Sequence, residues 1–373
     1  ESDLDTKLPT DMFDILNNTS ITTSHVKTAL SVFTFDESAS GNNHDNETFF
    51  ESVSVTNSEA SLQFEGSGLV STKALICDES TPVTIGADAS LDLLGAVDLS
   101  GQSLSILGTL ASNQPGPLDL TLRDSALLYL GENAKHSMNG VVNSRFDFQN
   151  VLINSATLKG PMINISAHKL DMENGALITA AGLGYAGCEA GVSDALGEGA
   201  GSNDEVGGGG GGHGGEGMYG LTAQYLETEN DRKLGLGQSF SIANVNSGGA
   251  AYGSYEWPAE YGSGGGCSGG PQGSGGRGGG IVWIDVSDVI TMNLSVITAN
   301  GEAVYGEGGG GAGGSIVLKC FFMYGGDDWT NMITANGGNT CVPADGEEHC
   351  DLSIEYPGGR GAGGRMAIHG NIH

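Results

Sequence analysis

The pentapeptide Ile-Thr-Ala-Asn-Gly at residues 297–301 occurs again at 333–337, 36 residues further on. A degenerate copy, Ile-Thr-Ala-Ala-Gly, stands at 178–182. Asn-Gly at the end of an apolar stretch supplies residues that tolerate positive φ, as a sharp corner of the backbone requires. The repeat therefore predicts a strand that ends at the same kind of corner several times along the chain.

A second motif accompanies the first. Glycine clusters run directly into alternating apolar segments in GGRGGGIVWIDV (275–286), GGGGAGGSIVLKC (308–320) and GGRGAGGRMAIHG (358–370). The repeating unit is a strand, a corner, a loop of variable length, a glycine cluster and a second strand. Clustered glycines allow backbones to approach with no Cβ between them, so we expect extended segments packed side by side.

Glycine is distributed unevenly along the 373 residues. Residues 1–174 contain 11 of the 65 glycines and residues 175–373 contain the other 54. The absence of a Gly-X-Y period excludes collagen, and a 38% hydrophobic content argues against a disordered chain. The composition places a boundary near Gly175.

Short segments with a period of two fill most of the region between residues 62 and 181. Examples are SLSILGTLASN and LDLTLRDSALLYLG, in which apolar residues alternate with polar ones before a turn. We predict an all-β fold, a parallel β-helix (β-solenoid) with long Gly-rich loops packed on one side. Its parts are a polar N-terminal arm or first coils at 1–60, solenoid coils at 61–174, and Gly-rich repeats at 175–373 with a long insertion at 183–274.

The glycine clusters coupled to Ile-Thr-Ala-Asn-Gly resemble Gly-rich repeat proteins of eukaryotic cell surfaces and extracellular matrices. The resemblance covers residues 175–373. It implies a right-handed parallel β-helix similar to pectin-lyase-like folds, together with an extracellular structural or adhesive role, and it transfers no catalytic residue.

Charge limits the partners. Lys and Arg number 14 and Asp and Glu number 45, which gives a net charge of −31. A phosphate backbone is bound by Lys and Arg, so nucleic acid is not expected as a partner. No apolar run is long enough for a membrane span. We expect no cofactor, with Ca²⁺ at the acidic surface as the one ion to consider, and further copies of the chain and glycans as partners.

Two features indicate secretion. Sequons for N-glycosylation occur at five asparagines: Asn17, Asn18, Asn46, Asn164 and Asn293. The six cysteines are even in number, and they are Cys77, Cys188, Cys267, Cys320, Cys341 and Cys350. Such a count is typical of an oxidising compartment, and the fifteen pairings that it allows stay open.

Spacing favours certain disulfides. Cys341 and Cys350 bracket a short acidic loop. A bond between Cys188 and Cys267 would close a loop of about 80 residues in Gly-rich sequence, where the loss of unfolded-state entropy is large. Elimination then leaves Cys77 to pair with Cys320.

An aromatic cluster and a few polar residues are the candidate sites. Tyr252, Tyr255, Trp257 and Tyr261 lie within ten residues of the insertion. They predict either a carbohydrate or subunit contact or a small core that fixes the loop. Separately, Arg277, Arg360 and Arg365 follow or interrupt glycine clusters, and we expect them to cap carbonyl groups or to pair with acids.

A polysaccharide lyase or hydrolase on the same fold is the enzymatic alternative. Its only candidates are His213 in Gly-His-Gly, and Asp327 and Asp328. Asp327 and Asp328 come after His213, which reverses the order found in polygalacturonase-type hydrolases. The sequence therefore favours a non-enzymatic, secreted, self-assembling glycoprotein, with a carbohydrate-binding adhesin as the alternative and an enzyme as the third hypothesis.

Overall fold

The structure is a computed structural model. The residues that it describes are 21–22, 32–36, 47–50, 53–55, 61–65, 69–72, 75–77, 82–87, 90–93, 96–112, 116–138, 141–203, 207–220, 247–269, 273–304, 307–325, 332–340 and 358–372. These residues form strands, turns and extended segments, so the predicted all-β class is confirmed. Over the same ranges there is no helix long and apolar enough to cross a membrane.

Two compact units divide the chain, residues 1–157 and residues 158–373. The strands of the first unit are β1 (Ile21–Thr22), β2 (Val32–Asp36), β3 (Glu47–Phe50), β4 (Val53–Val55), β5 (Ser61–Glu65), β6 (Leu69–Thr72), β7 (Leu75–Cys77), β8 (Pro82–Ile85), β9 (Ser90–Leu93), β10 (Val97–Ser100), β11 (Ser103–Ile106), β12 (Thr109–Ser112), β13 (Leu118–Arg123), β14 (Leu127–Leu130), β15 (Lys135–Met138), β16 (Val141–Asn143) and β17 (Phe146–Asn154). The next strand, β18 (Thr157–Lys159), contains the boundary itself. The structural boundary thus precedes Gly175, where the composition changes.

Most strands of the first unit pair with strands three elements away, and β13 pairs with β17, four elements on. The orders are β2-β5-β8-β11-β14, β3-β6-β9-β12-β15, β1-β4-β7 and β10-β13-β17, and the described pairs are parallel except for β15 with β16. Strands β1 to β4 belong to residues 1–60, and β2 pairs with β5 from Val32↔Ser61 onward. At least these strands of the N-terminal segment are therefore part of the parallel sheets.

The core of the first unit consists of apolar side chains that stack on one another from each strand to its paired neighbours. Leu104 is opposite Val83 on one neighbouring strand and Leu128 on the other, and all three side chains are buried. Burial alternates along the strands, for example in β13, because successive side chains of a strand point to opposite faces. Each fully buried aliphatic side chain contributes about 1.5–3 kcal/mol, so the stacked side chains hold the sheets together.

The described strands of the second unit that follow β18 are β19 (Met162–Glu173), β20 (Leu177–Thr179), β21 (Ile281–Met292), β22 (Val296–Thr298), β23 (Ser315–Tyr324), β24 (Ile333–Thr334) and β25 (Arg365–Ile372). The long strands follow the order β19-β21-β23-β25 and the short ones the order β20-β22-β24, all in parallel pairs.

The repeated sequence motifs of the second unit stack on one another. Ile178 is opposite Ile297, and Ile297 is opposite Ile333. The glycine clusters are in register as well, since Ile281 is opposite Ser315 and Ser315 is opposite Arg365. Equivalent residues of each repeat thus lie above one another, as the repeat in the sequence indicated.

Candidate functional site in the glycine-rich bundle

A bundle of extended glycine-rich segments lies beside the strands of the second unit. We call it the glycine bundle, and its described segments are 184–188, 199–203, 207–218, 247–250, 262–267, 275–280, 308–314, 336–340 and 358–364. Residues 207–213 are buried although six of these seven are glycine. At most glycines of this bundle, the backbone of another segment occupies the place that a Cβ would take.

Backbone hydrogen bonds connect each segment to several neighbours with a period of three. Gly208 N–H donates to Glu307 O and Gly211 N–H to Gly310 O, at 2.8 and 2.9 Å, and Gly209 N–H donates to a different segment, at Ser202 O. A polyproline II helix has three residues per turn and no internal hydrogen bonds, so its amide groups point outward in three directions. The glycine bundle is therefore an array of such helices, held together through the backbone.

Glycine is obligatory at most glycine positions of this array. A Cβ at Gly210 would lie 1.9 Å from Arg360 O, one at Gly208 would lie 2.0 Å from Gly266 O, and real Cβ contacts do not fall below 3.0 Å. Substitution by any other residue has to separate two backbones.

The corner motif anchors the bundle to the sheets. The last glycine amide of each cluster donates to the alanine carbonyl of a corner: Gly280 to Ala180, Gly314 to Ala299 and Gly364 to Ala335, at 2.7, 2.7 and 2.6 Å. The coupling of the two motifs in the sequence thus has a direct structural cause.

A disulfide between Cys188 and Cys267 crosslinks two segments of the bundle, with the two Cα atoms 5.3 Å apart. This is the pairing that loop closure favoured. The predicted bond from Cys77 to Cys320 is not found, because Cys320 is a free, buried thiol. In β23, Lys319 points outward and Cys320 therefore points inward, where it packs against Gly370. Cys341 and Cys350 lie outside the described residues, as does the side chain of Cys77.

His213 is sealed inside the bundle. Its Nδ1–H donates to Gly313 O at 2.7 Å, and its ring lies 4.8 Å from that of Tyr252, measured between centroids. Burial lowers the pKa of His213, and the nearby charge of Arg365 lowers it further. The side chain is fully inaccessible, and Nε2 has no hydrogen-bond partner in the described part of the chain. His213 therefore serves as a neutral packing and hydrogen-bonding residue and is closed to a substrate. The other enzymatic candidates, Asp327 and Asp328, lie outside the described residues.

Arg365 caps carbonyl groups, as expected for an arginine next to a glycine cluster. Its Nε–H donates to Tyr252 O at 2.8 Å and an Nη2–H donates to His213 O at 3.4 Å. Arg277 reaches Gly184 O at 3.4 Å. Arg365 thus holds loop backbone against β25, and Arg277 joins two segments of the glycine bundle.

The aromatic cluster of the insertion separates into an inner and an outer pair. Tyr252 accepts a hydrogen bond from Ser263 Oγ at 2.8 Å and donates to Tyr261 O, and burial raises the pKa of Tyr252 to about 12. The ring of Tyr261 packs edge-on against Tyr185 at 5.6 Å. The inner pair, Tyr252 and Tyr261, is thus a small core that fixes the loop.

The outer pair is Tyr255 and Trp257. The Trp257 ring stacks on His369 at a centroid distance of 4.4 Å and on Trp283 at 5.9 Å, which clamps the insertion onto β21 and β25. Tyr255 is 80% exposed, and Arg365 Cζ lies 4.4 Å from its ring centre. Sequence reasoning missed Trp283 and His369. For Trp283 a signal was present, because in β21 it stands between the inward-facing Val282 and Ile284.

An open cleft lies beside the disulfide. Its lining includes Glu189, Asp194, Asn203 and Ser268. Asn203 is engaged on both sides, since its Nδ2 donates to Asp194 and its Oδ1 accepts from Cys267 N–H at 2.9 Å. Across the described ranges, no three or more His, Cys, Asp or Glu side chains come together in a group that could hold a metal ion.

Two of the five sequons fall on described residues. Asn293 is exposed at the turn after β21, and Asn164 is half-buried near the start of β19, opposite Trp283. Asn17, Asn18 and Asn46 lie outside the described residues. The exposed turn makes Asn293 the better placed of the two for a glycan.

Comparison with known proteins gives no match to a family model, to a curated protein or to a solved structure.

Proposed function

We propose that each unit is a parallel β-helix and that the chain is a non-enzymatic structural glycoprotein of a cell surface or an extracellular filament. In this proposal copies assemble through the ends of the β-helices and the N-terminal segment. In the first unit most strands pair with the strand three elements on, and in the second unit strands pair two elements on with a glycine-rich segment between them. Both patterns support a helical path, because each turn then returns the chain to the same sheet. The resemblance to Gly-rich repeat proteins points in the same direction.

The glycine bundle is the observation that carries the structural role. An ordered glycine loses more backbone entropy than any other residue, roughly 0.5–1 kcal/mol more than alanine. The chain bears this cost at dozens of positions, and backbone hydrogen bonds crosslink the resulting glycine bundle in several directions. We expect such a bundle to resist bending and proteolysis because its segments are hydrogen-bonded to their neighbours. A structural protein needs both properties.

Secretion is supported by the disulfide and by the exposed sequon. The bond between Cys188 and Cys267 would persist in an oxidising compartment. The net charge of −31 keeps the copies soluble before assembly.

Electron microscopy of the secreted chain tests the proposal. Purified material at rising concentration and physiological salt should form filaments or sheets with a regular repeat. Dispersed monomers under all conditions, with an analytical-ultracentrifugation mass equal to one chain, would overturn the scaffold.

A carbohydrate-binding adhesin is the second candidate, and the exposed ring of Tyr255 favours it. One face of this ring contacts Arg365, so the other can stack on a sugar. Tyr255→Ala should abolish binding on a glycan array, whereas the control Tyr219→Ala, at another exposed tyrosine, should retain it. Trp257→Ala is less informative because Trp257 also clamps the insertion.

The enzymatic hypothesis has no supporting geometry among the described residues. His213 is closed off by the bundle, and Asp328→Asn should leave any uronide-releasing activity of the preparation unchanged.

A further inference from the structure

The layer of the second unit that contains β25 has an apolar face that is exposed to solvent in the described part of the chain. We call residues 332–340 and 358–372 the terminal layer. On its strand β25, Met366, Ile368 and Ile372 are 51%, 36% and 54% exposed. Their partners in register on β23, among them Ile316 and Leu318, are fully buried. Positions that are buried on β23 are thus exposed to solvent on β25 of the terminal layer.

The series of backbone hydrogen bonds from each layer to the layer above also stops at the terminal layer among the described residues. Gly279 N–H donates to Ala312 O of the layer above at 2.8 Å, and the equivalent Gly313 N–H donates to Ala362 O at 2.9 Å. The next equivalent amide, at Gly363, has no acceptor in the described part of the chain. The terminal layer therefore has the hydrogen-bonding edge of a layer that continues.

The space above Gly363 is also free. A Cβ at Gly313 would lie 2.6 Å from Gly364 N in the layer above, whereas at Gly363 the nearest atom is Ala335 O at 3.9 Å. No described contact within the chain requires glycine at 363, so an approaching backbone finds room there.

Arg360 limits what can approach. It occupies the position of Gly310 in the layer below, where a Cβ would meet Gly338 O of the overlying layer at 2.2 Å. Another glycine layer of the same form cannot fit above this side chain. A layer that covers this face would therefore have to lack a glycine cluster at this position.

The first strands of the chain meet this requirement. Among the described strands, β1, β2 and β3 stand at the edges of their sheets, and residues 1–60 contain a single glycine, Gly41. Charge is complementary, since residues 1–60 contain 11 acids and 2 lysines, a net charge of −9. Residues 358–373 contain Arg360 and Arg365 and no acid.

We infer that the terminal layer binds the edge of β1, β2 and β3 from a second copy of the chain, so that copies add head to tail. The inference rests on the proposed function and names the two surfaces through which assembly occurs. A contact between different surfaces does not close on itself and generates filaments, and the parallel pairing of strands continues across the junction.

A double variant that places charge on the face tests this inference. Met366→Glu with Ile368→Glu places polar side chains at these exposed positions and adds negative charge opposite an acidic partner. The matched control is Val192→Glu, at an apolar residue that is 74% exposed on a loop. The critical concentration for filament growth should rise about 30-fold or more in the double variant and stay at the wild-type value in the control, at a temperature where thermal unfolding curves show both variants to be folded.

Mixing gives a second readout. The double variant still has its β1–β3 edge, so it can add to a wild-type end but cannot be extended. About one variant chain in ten should therefore shorten wild-type filaments. Filaments that form normally from the double variant overturn the inference and leave the scaffold standing. Wild-type length in the mixture would show that the contact is between two identical faces, which also overturns it. A wild-type chain that never assembles overturns the proposed function itself.

Discussion

Replacing Gly210 by alanine tests whether close backbone contact holds the glycine bundle together. The new Cβ would lie 1.9 Å from Arg360 O, and a contact of 3.0 Å requires the two segments to separate by about 1.1 Å. Two hydrogen bonds flank this point, from Gly359 N–H to Gly208 O and from Ala362 N–H to Gly211 O, both 2.8 Å long. Stretched to about 3.9 Å, neither would remain a hydrogen bond.

Each buried amide that loses its partner costs about 1–3 kcal/mol, so Gly210→Ala should destabilise the chain by about 2–6 kcal/mol. A domain is stable by about 5–15 kcal/mol, and the variant should therefore lose a large part of its stability. Urea unfolding followed by intrinsic fluorescence measures the difference.

Gly215→Ala is the matched control, because nothing lies within 4 Å of a Cβ at Gly215. Alanine there should be neutral or stabilise by up to about 1 kcal/mol, through the smaller entropy of the unfolded chain. If the two variants unfold within about 0.5 kcal/mol of each other, backbone contact does not stabilise the bundle and the reasoning fails.

Three further outcomes are expected. The double variant Cys188→Ser, Cys267→Ser should lower the free energy of unfolding by about 4 kcal/mol, since the bond joins residues 79 apart. Reductant should destabilise the wild-type chain and the control Cys320→Ala, which changes a free thiol, but not the double variant. Equal destabilisation of the wild type, the control and the double variant by reductant would contradict the assigned bond. Burial lowers the pKa of His213 and of His136 below the value of an unfolded histidine, near 6.5, so the unfolded state binds more protons and stability should fall as the pH drops below about 6.5, by up to about 1.4 kcal/mol per pH unit and per histidine. Urea unfolding between pH 7.5 and 5.5 measures this slope, which His213→Gln should reduce; an unchanged slope would mean that His213 does not titrate on unfolding. Asn293→Gln should remove one glycan from the secreted chain, seen as a mass shift equal to that of endoglycosidase treatment at this site, whereas an unmodified wild-type Asn293 would argue against occupancy of the exposed turn.

The sequence was sufficient for those parts of the fold in which side chains carry the information. Alternation predicts the strands, and the copies of Ile-Thr-Ala-Asn-Gly lie in register because equivalent side chains pack on one another. The position of Cys320 was also readable, since Lys319 precedes it in an alternating strand. Elimination among cysteines assigned it to a disulfide and ignored this alternation.

The path of the insertion at 183–274 could not be predicted from the sequence. Its glycines bond to segments that are distant along the chain, as when Gly211 donates to Gly310 and Ala362 donates to Gly211. A glycine has no side chain that could specify a partner, so one cluster resembles another. The sequence left open whether the aromatic cluster forms a small core or a contact surface. The path of the insertion decides which rings turn inward: Tyr252 and Tyr261 form a core, whereas Tyr255 and Trp257 are exposed.

Registry in the glycine bundle must therefore come from outside it. Each cluster leads directly into a strand whose apolar side chains have a single place in the core, and the first strand amide bonds to the layer below: Ser315 N–H to Gly280 O and Arg365 N–H to Gly314 O, both at 3.0 Å. A strand that slipped by one residue would turn its apolar face outward, which the core forbids. The side-chain core thus fixes the position of segments that cannot fix their own. A substitution such as Ile316→Asp on the core face should disorder the adjoining cluster, although it touches no glycine, and amide hydrogen exchange at Gly309–Gly314 would show faster exchange there than in the wild-type chain.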